Sequence, residues 1–377
     1  MDFSNTEEQK MLQESVQKFV QKSYDFESRN QIIASEKGYS QENWDLFAEL
    51  GWLTVPFKEE DAGLGASAVD LVVMMEEFGK AMLVEPFIAT AVLVGTLISE
   101  QGSSQQKTEL LPKIMEGKLQ LACAYTEQGS RFNLANIKTS AKVDGDTVVI
   151  NGSKTAVLNG SNADILLIVA RESGAATDSE GISVFLVDAA SRGVAIQSFT
   201  NVDGKKSAEI SLTDVSVPVS QRLGAKGTAL QALQDSVDRA TLAVSAEAVG
   251  AMEALLYKTV EYSKTRKQFG TAIGTFQALQ HRMTDMFIEC QLARSIMIMA
   301  AMKLDSSEDA LQKTKSVSAA KSRIGKAIQK VGQEAIQIHG GIGMTDELDV
   351  GHLFKSVTAA EIMFGNTDFH TQRFASL

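Results

Sequence analysis

The stretch that decides the fold is Tyr262-Ser-Lys-Thr-Arg-Lys-Gln-Phe-Gly-Thr-Ala-Ile-Gly-Thr-Phe-Gln277, polar and broken by glycine, set between two long uninterrupted helical patterns. Upstream, Asp235 to Lys264 has no proline and a single glycine, Gly250. Downstream, Phe276, Leu279, Met283, Met286, Cys290, Ala293, Met297, Ala300 and Leu304 recur at alternating spacings of three and four, the seam of a helix bundle. A further helix from Thr314 to His339 repeats the spacing through Val317, Ala320, Ile324, Ile328, Val331, Ala335 and Ile338. The methionines here read as core fillers. The loop itself offers Arg266, two carboxamides and two glycines, fixed by Phe269 and Phe276, so that side chain and backbone can both approach a phosphate. Taken alone, an ordinary interhelical turn with a solvated Arg and Lys accounts for it better.

Working outward, the chain up to about Leu119 is helical in pattern. Asn5 or Thr6 can cap a first helix, Trp44 to Leu50 ends at Gly51, and Val69 to Met82 carries apolar residues at helical spacing. Pro86 and Pro112 punctuate two more helices. Between about Leu121 and Pro218 the period becomes that of strands, in Thr147–Ile150, Ile165–Val169, Ile182–Val187 and Ile210–Val217. Asp144-Gly145, Asn151-Gly152, Asn159-Gly160 and Asp203-Gly204 read as the turns between them. The expected organisation is α+β: a helical domain over 1–119, a small β-domain over 120–222 and a helical bundle over 223–377.

At 377 residues and 44% hydrophobic content the chain can bury several cores. A net charge of −11 argues against sequence-independent binding to nucleic acid or to an anionic membrane, while leaving room for a local basic cleft. Two distant cysteines, Cys123 and Cys290, and four histidines form neither a disulfide framework nor a metal cluster in the sequence. The N-terminus lacks the basic and apolar regions of a signal peptide, and the longest apolar run, Phe87 to Ile98, is too short to span a bilayer. A cytoplasmic protein is the expectation.

Gln337-Ile-His-Gly-Gly-Ile-Gly343 ends the last long helix in glycines, which predicts an αL cap and a flexible turn whose bare backbone admits a flat or anionic ligand. This motif, the loop from Arg266 to Gln277, Ala124-Tyr-Thr-Glu127 and Asn151-Gly-Ser-Lys154 with Asn159-Gly160 occur in an order that resembles the acyl-CoA dehydrogenase family over nearly the whole chain. The wording Lys154-Thr-x-Val-Leu-Asn-Gly160 and Phe364-Gly-Asn-Thr367 is similar to small subunits of pimeloyl-CoA-type dehydrogenases.

The resemblance implies an N-terminal helical domain, a β-barrel-like middle domain and a C-terminal four-helix bundle. It also implies FAD held between the last two and α,β-desaturation of an acyl-CoA thioester, with electron-transfer flavoprotein as acceptor. A carboxylate takes the α-proton, and the β-hydrogen leaves as hydride. Carried over by position, Arg266, Phe269 and Gln277 would meet the FAD pyrophosphate region of a neighbouring chain, and Gln337, Gly340 and Gly341 its adenosine half. Tyr125, Thr126 and Glu127 would border the flavin ring of the chain's own site, with Thr367 also on FAD.

The departures point elsewhere. Gly365 stands where many members carry the catalytic Glu, and Ala240 stands at the alternative position. Substitute bases are Glu361, one turn before Gly365, and Glu247, two turns after Ala240. Ala156 replaces a flavin-shielding Trp, Leu158 replaces a hydrogen-bonding Thr, and Arg131-Phe132 replaces Gly-Ser. Parts lent to a neighbour are intact while the chain's own half-site is altered. This pattern predicts a subunit of a heterotetramer whose partner, a second dehydrogenase-like chain, supplies the base. A self-associating enzyme with a relocated base, a flavin monooxygenase on the same fold and a non-catalytic scaffold subunit are the alternatives.

Overall fold

The computed structural model describes residues 5–377. Helices α1 (Glu7–Ser23), α2 (Phe26–Ala34), α3 (Gln41–Glu49) and α4 (Ala68–Ala81) come first. A π-helical turn, Ile88–Gly95, runs into α5 (Thr96–Gln101), and α6 (Ser104–Met115) follows. The strands are β1 (Leu121–Ala124), β2 (Ser140–Asp144), β3 (Thr147–Leu158), β4 (Ile165–Arg171), β5 (Ile182–Asp188), β6 (Val194–Thr200), β7 (Lys206–Pro218) and β8 (Arg222–Leu223). Helix α7 (Leu230–Thr265) leads to a two-stranded ribbon, β9 (Lys267–Gln268) and β10 (Thr271–Ala272). The chain closes with α8 (Gln277–Asp305), α9 (Ala310–His339), α10 (Asp349–Ile362) and α11 (Thr367–Ser376). Helix starts follow their caps: Thr6 with Gln9, Ser67 with Asp70 and Ser103 with Gln106 each form a reciprocal capping box.

By contact the chain forms two compact units. One gathers the chain up to Gln31, Ser67–Leu83 and Thr241–Leu377. The other gathers Ile32–Ala66 and Val84–Ala240.

In the first unit the expected seam holds throughout α9 and over the middle of α8, whereas Phe276 at the start of the α8 seam is exposed and Leu279 and Leu304 are half-buried. Met283, Met286, Cys290, Ala293, Met297 and Ala300 of α8 are buried, as are all seven periodic residues of α9. Helices α4 and α7 touch backbone to backbone, because Gly79 and Gly250 have no side chain to hold them apart. A Cβ on Gly250 would overlap the carbonyl oxygen of Glu76 and lie 2.7 Å from its carbon, and one on Gly79 would meet Glu247 in the same way. That crossing brings Glu76 and Lys80 of α4 beside Glu253 of α7, where Arg294 of α8 completes a half-buried ion network around the buried Glu76. Arg294 Nη2 lies 2.7 Å from Glu76 and 3.0 Å from Glu253, and Lys80 Nζ lies 2.8 Å from Glu253. Most of the apolar window in α7, 78% of it, is buried inside the fold, so its length and composition mark a core helix rather than a membrane span.

In the second unit one eight-stranded sheet runs β6-β7-β3-β2-β4-β5-β8, with β1 paired in parallel to β4. Its inner face packs Val148, Ile150, Leu166, Ile168, Phe185, Val187, Ile210 and Val215. Four strands, β1, β2, β6 and the short β8, extend the set anticipated from alternation. Asn151-Gly152 is not a turn. It lies inside β3, where the register against β7 shifts, and a Cβ on Gly152 would overlap Thr139. Asp144-Gly145 already makes the β2–β3 hairpin.

Candidate cofactor site

In the first unit the loop after α7 is a built ribbon. Lys267 and Gln268 pair with Ala272 and Thr271, leaving Phe269 (φ 54°) and Gly270 (φ 83°) as the two turn residues, both left-handed. Ile273 is buried, and its N–H donates to Arg266 O at 2.8 Å, which fixes the loop on the helix end. Phe269 stands 94% exposed at the tip, edge-on to Phe276 at 6.2 Å. Arg266 and Gln277 are exposed, and among the described residues the Arg266 guanidinium has no ion-pair partner.

The second motif lies alongside. The Tyr262 ring stacks on His339 at 4.4 Å and 25°, and the Tyr262 hydroxyl donates to His339 O at 3.3 Å. His339 Nδ1 lies 2.8 Å from Ala335 O, and burial lowers the imidazole pKa. This stack ties the C-terminal ends of α7 and α9 together and puts the Arg266 loop and the glycines on one side of the unit. Gly340 departs from the expected αL cap: at φ 66° and ψ −144° it is in a region open only to glycine, and the chain continues as a 3₁₀ turn, Gly340–Met344. Gln337, Gly340 and Gly341 are exposed.

Gly341 is the informative residue. Its φ is not left-handed, and a Cβ built on it meets no atom within 4 Å. Among the described residues nothing requires glycine there. Bare backbone beside an unpaired guanidinium and two exposed carboxamides is the donor set and clearance that a dinucleotide pyrophosphate and its nucleoside need.

Midway along α9, three buried side chains tie up the α10–α11 turn. Lys321 Nζ donates to the last carbonyls of α10, those of Ala360 and, at 3.1 Å, Glu361. Burial lowers the pKa of Lys321 to about 7, with Glu361 opposing. The Glu361 carboxylate accepts from Thr367 N (2.9 Å) and Thr367 Oγ1 (2.8 Å), capping α11. Thr367 is itself buried, in a notch where a Cβ on Gly325 would overlap its hydroxyl. His370 is fully buried, with Nε2 at 3.2 Å from Phe364 O, and burial pushes its pKa down to about 3. Gly365 (φ 120°) lies against it: a Cβ there would fall 2.6 Å from His370 Nε2 and 2.5 Å from Phe369 Cδ1. On α7, Glu247 is half-buried.

In the second unit, Tyr125 and Thr126 are half-buried, and Thr126 O accepts from Thr155 N at 2.9 Å. Ala240, near the start of α7, is fully buried. Glu127 turns into the protein. Its carboxylate accepts from Lys138 N (2.8 Å), Thr139 N (3.0 Å) and the buried Lys154 ammonium (2.7 Å). Burial would raise the Glu127 pKa, but Lys154 and these donors lower it on balance, while burial brings Lys154 down to about 8 against the pull of Glu127. Ala156 sits in a bulge at φ 51°, stabilised by Glu209, which accepts from Thr155 Oγ1 (2.7 Å) and Ala156 N (3.3 Å). Glu209, Lys321, His370 and the Tyr262–His339 stack escaped the sequence reading, since each partner is remote in the chain.

Three family models match: acyl-CoA dehydrogenase N-terminal domain at residues 6–118, middle domain at 122–215 and C-terminal domain at 229–376. The chain belongs to the acyl-CoA dehydrogenase family. It is an FAD-dependent oxidoreductase of acyl-CoA. It is 29% identical to the probable acyl-CoA dehydrogenase YngJ of Bacillus subtilis, over 98% of this chain and 97% of that one. It is 28% identical to the caffeyl-CoA reductase-Etf complex subunit CarC of Acetobacterium woodii, over 96% of each. Among solved structures, the FAD complex of PigA superposes with a TM-score of 0.92 at 28% identity, covering 100% of this chain and 98% of that one.

Proposed function

We propose that this chain is one subunit of a hetero-oligomeric acyl-CoA dehydrogenase, lending its Arg266 and glycine loops to a flavin bound by a partner chain that carries the catalytic base. Gly341 carries the reading, because the chain keeps a glycine that its own fold does not use. Arg266 would pair with the pyrophosphate, Gln277 and Gln337 would donate amide hydrogens, and Phe269 would cover the dinucleotide from its ribbon. Bound FAD supplies the hydride acceptor for the substrate's β-hydrogen. The residues of this chain bind and orient.

The carboxylate positions support the division of labour. A glutamate at Gly365 has no room beside His370, and the methyl of Ala240 is wholly buried. Glu361 is engaged in capping Thr367, and Glu247 is half-buried two turns along α7. The self-sufficient reading through Glu361 is therefore the weaker one. In the chain's own half-site we keep Tyr125, Thr126, Glu127 and Thr367 as flavin neighbours, Glu127 through its backbone, since its carboxylate faces inward. The division at residues 119 and 222, a cytoplasmic setting and electron-transfer flavoprotein as acceptor complete the proposal. The acceptor is supported by the Etf complex in the name of the Acetobacterium relative.

The test is flavin content. Expressed alone the chain should carry little flavin, and co-expression with a second dehydrogenase-like chain should load it stoichiometrically. Arg266→Ala should strip flavin from that assembly. Full loading of the chain alone, bleached anaerobically by an acyl-CoA, would overturn the heteromeric reading.

A further inference from the structure

Within the second unit a polar cavity of about 730 Å³ opens between the segment after α2, the start of α3, the α6–β1 turn and the β3–β4 turn. Its wall holds buried polar atoms that the fold leaves unmet. Gln120 is 5% exposed, and its Oε1 accepts from Thr90 Oγ1 (3.0 Å) and Asn159 Nδ2 (3.1 Å), which fixes the amide so that Nε2 carries the hydrogens. Among the described residues that Nε2 has no partner. Ser161 Oγ in the same wall has none either. Buried donors are almost always paired, so a cluster of exceptions around one cavity calls for an acceptor from outside the chain.

The charges lining the cavity narrow its chemistry. Glu36, Asp45 and Asp164 outnumber Lys37 and Lys118, and Lys118 is itself paired with Glu116 at 2.8 Å, so an anion is disfavoured. A cation would leave the Gln120 Nε2 hydrogens unmet. A neutral ligand dense in hydroxyls satisfies both kinds of wall: its oxygens accept from Gln120 and Ser161, and its hydroxyls donate to Asp45 and Asp164. We infer that this cavity binds a small neutral polyol, a free sugar or the ribose of a nucleoside, independently of the flavin.

The full chain is titrated with D-ribose, adenosine and D-glucose, followed by saturation-transfer NMR and calorimetry. At least one probe should bind at millimolar concentration or below. Tighter binding of adenosine assigns a nucleoside ribose, and tighter binding of glucose assigns a free sugar. Ser161→Ala removes a hydroxyl that bonds nothing in the fold, so its melting temperature should match the wild type while affinity falls about 10-fold. Gln120→Glu, which replaces the donor by an acceptor, should abolish binding. Absence of binding by every probe, equal affinity in Ser161→Ala, or a crystal structure with only ordered water on Gln120 Nε2 overturns the inference.

Discussion

Replacing Gly341 by alanine separates what the fold requires from what a ligand requires. Among the described residues the new methyl meets no atom within 4 Å, and the backbone there is not left-handed. Folding therefore loses nothing, and the smaller freedom of the unfolded chain should add about 0.4–1 kcal/mol of stability. If FAD lies against this backbone, the same methyl overpacks a filled contact, at a cost of about 1–3 kcal/mol. At about 1.4 kcal/mol per decade this is a loss of roughly 5- to 150-fold in flavin affinity. The assay is flavin titration of the assembled apo-complex by fluorescence, run beside thermal unfolding of the same variant. An unchanged flavin affinity with the alanine in place would refute the reasoning, since it would leave Gly341 unexplained by either fold or ligand. A lowered melting temperature would refute the other half.

Other changes test the fold around the site. Gly250→Ala drives a methyl into the Glu76 carbonyl and should cost about 1–3 kcal/mol, lowering the apparent melting temperature by roughly 2–10 °C. Gly365→Glu should not create a dehydrogenase base. Its Cβ meets His370 and Phe369 at φ 120°, and thermal unfolding should register a loss of about 2–6 kcal/mol with no gain in acyl-CoA oxidation. With His370 near 3 when folded and 6.5 when unfolded, the unfolded chain binds the extra proton between those values. Stability should fall as pH drops through that window, and urea midpoints of His370→Gln should show a shallower slope. Lys321, near 7 when folded against 10.5, acts from pH 7 upward: stability should rise with pH to about 10.5 in the wild type, and more weakly in Lys321→Met.

The helical seams were legible because their signal is periodic and local. Every apolar residue marked in the third helix is buried, and the cap at Thr6 is where its side chain and that of Gln9 place it. The sheet was legible only in part. All four residues of β1 are buried, so Leu121–Ala124 has no alternation to detect, and β6 is exposed along nearly its whole length. Asn151-Gly152 carries the wording of a hairpin, but the glycine is there to let β2 approach at Thr139. The site divides similarly. Arg266 and the glycine run can be read in a line of text, while the Tyr262–His339 stack that brings them together joins residues far apart in the chain.

The missing carboxylate was visible as a letter, but its cause lies in packing. Gly365 is not a glutamate pared away from an otherwise waiting pocket. The His370 ring fills its side-chain direction, Phe364 is left-handed at φ 60°, Lys321 closes the carbonyls of α10, and Glu361 closes the start of α11. A side chain at Gly365 would run into the His370 and Phe369 rings, so reinstating the acid means moving both. Gly341 is the opposite case, a glycine with no internal contact to justify it. On the proposed function the two glycines divide cleanly: the turn at Gly365 is packed shut against His370 and Phe369, while the clearance at Gly341 would serve a flavin bound by a neighbour.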